Sequence, residues 1–379
     1  MTQPKIIDIF AGVGGLSLGA ARAGFRVALA VEKDKHALAA HRRNFPRVEH
    51  LDDDVAKFNG AALLNRAGIK PGELDGLIGG PPCQGFSSMG HRCVGDARNN
   101  LFQKFFSLVA ECHPKFYLAE NVLGILDDQY AEIREAALAL VPKEYTLLDP
   151  MRFKASDFGA ATSRERVFFI GYRGDAVAPI SASDFNAAKA KQVVTVADAL
   201  HGLPPRIYST WLTEQEGWRP VTPMPKSDFA ESIVNGIPHD IGDPEAIRRY
   251  RKEQLVSGCL GTRHSIEVAA RYARLKPGAK DQISKAVRLK AGGLCPTLRA
   301  GTDAERGSYQ AVRPIHPTAA RVITPREAAR LQGFPDWFQF APSKWHSFRQ
   351  IGNSVSPFVA EAVLSVLINK IYKYGPSTG

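Results

Sequence analysis

The sequence has little cysteine: five in 379 residues. An odd number with no Cys-x-x-Cys pair fits neither a disulfide framework nor a zinc site, so no metal is expected. Free thiols of this kind persist in a reducing compartment, which makes the cytoplasm the expected location. No apolar run approaches the roughly 20 residues needed to cross a bilayer. Met1-Thr2-Gln3-Pro4-Lys5 leads directly into a strand-like segment and leaves no room for a signal peptide. No membrane partner is therefore expected. Internal repeats and low-complexity tracts are missing, as are a Gly-x-x-x-x-Gly-Lys-Ser/Thr phosphate cradle and a complete Gly-x-Gly-x-x-Gly fingerprint.

Positive charge is in excess. Forty-nine Lys and Arg against 38 Asp and Glu give a formal charge of +11 and a pI near 9.4, a balance that suits a polyanionic partner. With 44% hydrophobic residues the chain can bury a sizeable core and form more than one domain.

From Lys5 to about Arg173, short apolar runs alternate with amphipathic stretches. Lys5–Phe10, Arg26–Glu32, Leu74–Ile78, Phe116–Glu120 and Val167–Gly171 read as strands. Leu16–Ala23, Leu101–Cys112 and Tyr130–Leu140 read as helices. The alternation predicts a mainly parallel sheet covered on both faces, with ligands at the carboxyl ends of its strands. Between about Gly174 and Val322 the regularity fades among prolines, glycines and scattered charges, as in a smaller, loop-rich domain. Helical pattern returns at Thr324–Gln332, which opens with a capping-box signature, and at Ser354–Tyr374.

Asp8-Ile9-Phe10-Ala11-Gly12-Val13-Gly14-Gly15 lies where the first strand becomes the first helix. Such a turn either closes tightly or brings its backbone to a ligand. Glu32 ends the second strand, where an acid can accept from two ribose hydroxyls. Asp52-Asp53-Asp54-Val55 places a further acid, Asp54, after a short third strand; it is either a solvated loop or an acceptor for an adenine amino group. A ligand with ribose and adenine but no pyrophosphate satisfies the whole set, and S-adenosylmethionine is one.

Gly79-Gly80-Pro81-Pro82-Cys83-Gln84-Gly85-Phe86-Ser87 forms a stiff turn at the ligand edge of the sheet, presenting the Cys83 thiol in a cation-rich chain. A protonated Glu120, in Glu120-Asn121-Val122, can donate to a ring nitrogen while its other oxygen accepts from an exocyclic amine, the paired needs of cytosine N3 and N4. Arg164 and Arg166 share one side of an extended segment; they are either a solvated pair or a clamp for the base O2 and a phosphate.

In order along the chain, the glycine turn, Pro-Pro-Cys-Gln, Glu-Asn-Val, Arg-Glu-Arg, Thr324-Pro325-Arg326-Glu327-Ala328-Ala329-Arg330-Leu331-Gln332-Gly333-Phe334-Pro335 and Gln350-Ile351-Gly352-Asn353-Ser354-Val355 resemble the DNA cytosine-5 methyltransferases of bacterial and phage modification systems. The resemblance covers about residues 5–173 and 320–365. It implies an α/β, Rossmann-like S-adenosylmethionine-dependent methyltransferase fold with a smaller loop-rich target-recognition domain. Residues 1–175 would form the first part of the catalytic domain, 176–322 the recognition domain and 323–379 the return segment. Catalysis would rest on Cys83, Glu120, Arg164 and Arg166. The cofactor would meet Phe10, Gly12, Gly14, Gly15, Glu32, Lys33, Asp54, Val55, Pro82, Leu101, Asn353, Ser354 and Val355. DNA would meet Gln84, Ser87, Thr297 and Arg299. The implied product is S-adenosylhomocysteine; the implied partners are double-stranded DNA and a cognate restriction endonuclease, with the enzyme itself monomeric. One departure is Thr162, where the family usually has Gln. The alternatives are a tRNA cytosine-5 methyltransferase, a catalytically silent DNA-binding homologue, whose expected damage to Cys83, Glu120 or the arginines is not seen, and a nicotinamide oxidoreductase, which leaves Pro-Pro-Cys-Gln without a role.

Overall fold

The computed structural model describes residues 3–82, 99–212, 215–300 and 312–374. Cys83, Gln84 and Ser87 lie outside the described residues. In the first part of the chain β1 (Lys5–Ile9), α1 (Gly15–Ala23), β2 (Arg26–Val31), α2 (Lys35–Asn44), β3 (Glu49–Leu51), α3 (Gly60–Ala67), β4 (Gly76–Gly79), α4 (Asn99–Cys112), β5 (Phe116–Asn121) and α5 (Ala131–Leu138) alternate as expected. Three strands follow: β6 (Tyr145–Leu147), β7 (Met151–Lys154) and β8 (Glu165–Arg173). The central strands are buried almost end to end, because helices cover both faces and leave no solvent side to alternate toward. Local signals set the helix ends. Asp34 accepts from the His36 and Ala37 N–H groups at the start of α2, and Gly24, at φ 102°, closes α1 in the left-handed conformation that glycine adopts without strain.

The sheet runs β3-β2-β1-β4-β5-β8-β6, with β7 also on β8. The five strands β1 to β5 pair in parallel, and β8 is antiparallel to β5, β6 and β7. The expected mainly parallel sheet thus ends at β5. Reversal of β8 has a functional consequence: its amino end lies at the carboxyl edge of β5, with Phe168 opposite Glu120 and Val167 opposite Asn121. Glu120 and Arg166 reach the same edge from opposite chain directions.

The middle segment contains α6 (Ala182–Ala187), α7 (Val196–Leu200), α8 (Asp228–Val234), α9 (Pro244–Glu253) and α10 (Ile266–Arg274). None exceeds 10 residues, too short to register as sustained periodicity among the intervening prolines. Phe229, Ile233, Leu289 and Cys295 of this segment share one hydrophobic cluster with Phe25, Phe116 and Val363 of the α/β body. A separate small core forms around Tyr272, Ala286, Ile315 and Val322.

The return segment comprises α11 (Pro325–Gln332), α12 (Lys344–Asn353) and α13 (Pro357–Tyr374). The capping box is realised: Thr324 accepts from the Glu327 N–H, and the Glu327 carboxylate accepts from the Thr324 N–H. The charged residues of α11 are buried and paired. Arg330 grips Asp336 through two 2.7 Å bonds, and Glu327 accepts from Arg321 at 2.7 and 2.8 Å. Arg326 donates to the Ser257, Pro335 and Phe338 carbonyls, bolting the return segment to the middle one. Buried charges are tolerated only with such partners, which gives this part of the sequence motif a structural purpose.

α13 packs on α1. A Cβ at Gly19 would stand 2.3 Å from the Ala360 Cβ, so the two helices approach only because residue 19 has no side chain. The stretch Lys344–Ile371 is long and apolar enough to cross a membrane, contrary to the expectation that no run would be. It is built into the protein instead: 67% of its most apolar window is buried, on α1 and the sheet.

Candidate active site

The carboxyl ends of β1, β2, β4 and β5 open into a cavity of about 300 Å³. At the end of β1, Phe10 adopts φ 62° and Gly12 φ 57°. This left-handed backbone is uncommon for a non-glycine residue, and such strain gathers at functional turns. Space beside Gly12 is open, with no atom within 4 Å of where a Cβ would lie. Its N–H donates to Glu32 Oε2 at 2.9 Å, and the Asp34 N–H donates to Glu32 Oε1 at 2.7 Å. Glu32 is thereby fixed at the cavity wall with lone pairs left on both oxygens. Burial pushes its carboxyl above the ordinary range, against these two backbone bonds.

The neighbouring glycines serve packing. A Cβ at Gly14 would meet the Phe45 ring at 2.4 Å, and one at Gly15 would meet Ser354 Oγ at 2.1 Å and the Val355 carbonyl at 2.4 Å. Gly15 thus lets the return segment bring Asn353, Ser354 and Val355 to the cavity. Also on the cavity wall, Asp54 caps the short turn Val55–Lys57 through the Ala56 N–H and pairs with Lys33 at 3.0 Å. The cavity wall includes Phe10, Gly12, Gly15, Glu32, Lys33, Asp54, Val55, Pro82, Asn353, Ser354 and Val355. It does not include Gly14, which faces Phe45, or Leu101, which is buried in α4. These two expected cofactor residues are placed structurally.

Glu120, Arg164 and Arg166 line the same cavity beyond Pro81 and Pro82. Arg166 Nε lies 2.9 Å from Glu120 Oε1, an ion-pair contact, and this buried oxygen has no other donor among the described residues. Burial pushes the Glu120 carboxyl up, while the Arg166 and Arg164 guanidiniums pull it back. The result is a carboxyl poised to hold a proton beside two cations.

Thr162 is fully buried, and its Oγ1 donates to the Cys295 carbonyl at 3.0 Å, which also accepts from the Ser163 N–H at 2.8 Å. Arg164 Nη1 donates to the Leu298 carbonyl at 3.3 Å, and a Cβ at Gly352 would stand 2.7 Å from the Ala300 nitrogen. The 295–300 segment is therefore clamped between the lead-in to β8 and the end of α12. Thr297 and Arg299 project from it exposed. Thr162, at the position where the family usually has Gln, thus makes a backbone contact in this chain.

Sequence reasoning missed Asp34, Ala37, His346, Arg349 and Gln350 on the cavity wall. The first turns of α2 and α12 meet there. The His36 and His346 rings stack with centroids 3.6 Å apart, and Gln350 donates to the His36 carbonyl at 2.9 Å. Asp34 had a signal, as an acid before a helix; the pairing of residues about 310 apart had none. A larger cavity of about 740 Å³ lies between α8 and α9 and contains none of the expected site residues. Among the described residues no cluster of His, Cys, Asp or Glu suits a metal.

Comparison with known proteins adds to this geometry. The family described as C-5 cytosine-specific DNA methylase matches residues 4–369. Type II methyltransferase M.XorII of Xanthomonas oryzae pv. oryzae is 37% identical over 377 residues, 98% of this chain and 86% of that protein. A crystal structure provisionally described as a DNA modification methyltransferase encoded within an E. coli prophage shares 49% identity and a TM-score of 0.87, over 97% of this chain and 99% of the other. The S. pombe Dnmt2 methyltransferase, at 15% identity and TM-score 0.60 over 97% of this chain and 99% of its own, shares the fold.

Proposed function

The chain belongs to the C-5 cytosine-specific DNA methylases, of the Type II restriction-modification kind, and from that premise we propose that it methylates a flipped-out cytosine through a covalent Cys83 adduct. The observation that carries this reading is the buried Glu120 carboxyl beside Arg166, at the sheet edge that Pro81 and Pro82 share with the Gly12–Glu32 turn. That turn suits S-adenosylmethionine: a fixed carboxylate for the ribose hydroxyls, open space beside Gly12, and Asp54 and Val55 on the cavity wall. When bound, S-adenosylmethionine supplies an electrophilic methyl group that an electron-rich C5 takes.

The protein's own residues make C5 electron-rich. The Cys83 thiolate adds to C6 of the cytosine, forming the S–C6 bond and leaving an enamine across N3, C4 and C5. Glu120 donates its proton to N3 as that charge develops and accepts from the N4 amine; Arg166 holds O2, and Arg164 secures the 295–300 segment beside the pocket. After methylation a base removes the C5 proton, the electron pair restores the C5–C6 double bond, the Cys83 thiolate leaves, and the N3 proton returns to the Glu120 carboxylate. A base stacked in a duplex is out of reach of these groups, so it swings into the pocket at a cost of a few kcal/mol. Thr297 and Arg299 on the clamped segment, with Gln84 and Ser87 on the Cys83 loop, face the DNA. We assign 1–175 and 323–379 to the catalytic domain and 176–322 to target recognition. The protein acts as a cytoplasmic monomer alongside an endonuclease of the same specificity.

Bisulfite sequencing of DNA from cells expressing the protein tests the reading. Protected cytosines at one recurring short sequence are expected. No protection in DNA, with methyl transfer to tRNA in a competition between the two substrates, would favour the RNA enzyme.

A further inference from the structure

Lys344 and Phe348 stand four residues apart on α12, and therefore on one face of its first turns. Arg313 stacks on that face, its guanidinium carbon 4.0 Å from the Phe348 ring centre. Two cations are thus brought side by side, and neither has a carboxylate partner among the described residues. Arg313 Nε is buried with no hydrogen-bond acceptor. Lys344 Nζ has only the Gly261 carbonyl, and the next residue, Thr262, has a buried hydroxyl that is also unpartnered. Burial pushes the Arg313 guanidinium down to about 10; burial and then the Arg313 charge depress the Lys344 ammonium. Buried donors are ordinarily satisfied, and like charges separate unless an anion holds them together. Among the described residues this corner gathers two cations with the Gly261 carbonyl as an acceptor and no carboxylate.

We propose that Arg313 and Lys344 bind a backbone phosphate of the duplex DNA substrate. The inference rests on the reading of the chain as a DNA methyltransferase. A phosphodiester supplies what the corner lacks: one negative charge and oxygens that accept from several donors at once. The site also has a mechanical role. The same helix lines the cavity with His346, Arg349, Gln350 and Asn353, and Gly352 packs against the Arg299–Ala300 backbone. A phosphate held at the start of α12 therefore sets the register of the DNA strand against the pocket that takes the base. Arg313 and Lys344 are positioning residues, remote from the reacting atoms.

The test measures the affinity of mixed-sequence duplex DNA for the wild type, Arg313→Gln, Lys344→Gln and Arg313→Lys between about 50 and 200 mM salt. Each neutral variant is expected to flatten the slope of log affinity against log salt by up to about 0.9, the contribution of one phosphate contact. Its KM for DNA should rise by about tenfold or more, with kcat at saturating DNA and affinity for S-adenosylhomocysteine unchanged. Arg313→Lys should restore the slope. Neutral variants with the wild-type slope, or weaker at all salt concentrations by one constant factor, would overturn the clamp. So would tight binding of inorganic phosphate alone that leaves DNA affinity unaffected, since the site would then serve a free anion. Failure of the wild type itself to methylate duplex DNA would overturn the functional reading, and the clamp with it.

Discussion

Replacing Cys83 with alanine is expected to lower methyl transfer to duplex DNA by roughly 10⁴-fold or more, the scale on which covalent catalysts lose turnover with their nucleophile. Cytosine C5 has too little electron density to attack a sulfonium methyl, and a thiolate creates that density by adding to C6. Other described cysteines cannot substitute. Cys112, Cys259 and Cys295 are buried, and burial pushes the first two thiols up to about 12 and the third higher still. They remain protonated at neutral pH and lie inside the core. Transfer of tritiated methyl groups to mixed-sequence DNA measures the loss, and calorimetry should show cofactor affinity retained. Activity persisting in the alanine variant would end the covalent mechanism.

Glu120→Gln should cost about 10²- to 10⁴-fold in turnover, the range of general acid–base contributions. Glutamine keeps the shape of the side chain and can still accept from N4, but it has no acidic proton to give to N3. Burial raises the Glu120 carboxyl and so favours its protonated form, while the adjacent Arg166 and Arg164 oppose that shift. The sign follows directly. The competent acid is the protonated form, so wild-type turnover should fall as pH rises through the raised value, and the residual rate of Glu120→Gln should lack that limb. Cofactor binding should survive, because Glu32, Gly12 and the return segment hold that end of the cavity. Loss of cofactor binding in Glu120→Gln would place Glu120 in a different site.

How far the sequence reveals such a site depends on the range of the interaction. The β1–Gly12–α1 turn, Glu32 and Glu120 are legible because each sits at the end of a strand recognisable from its own few residues. Strand direction is not legible in the same way: alternation shows which faces are buried and is silent on which way β8 runs, so its antiparallel pairing and the meeting of Arg166 with Glu120 appear only in three dimensions. Short helices of the middle segment carry too few turns to show a period. Gly14 and Gly15 illustrate a subtler gap. Both read as ligand-facing glycines; Gly15 does line the cavity, yet the missing side chains also make room for Phe45 and for Ser354 and Val355, partners the local sequence does not contain. The docking of Cys295 on Thr162 and the His36–His346 stack belong to the same class.

The central claim is that Cys83 forms a bond to the target base, and the most direct measurement is to trap that bond. A duplex in which one strand carries 5-fluorocytosine in place of cytosine allows thiolate addition and methylation. It has no C5 proton to lose, so the thiolate cannot be eliminated. After incubation with S-adenosylmethionine and digestion, mass spectrometry should find the peptide containing Cys83 joined to one methylated fluorocytosine nucleotide. A protein that methylates ordinary cytosine yet gives no adduct on this duplex, or gives one on another residue, would contradict the account.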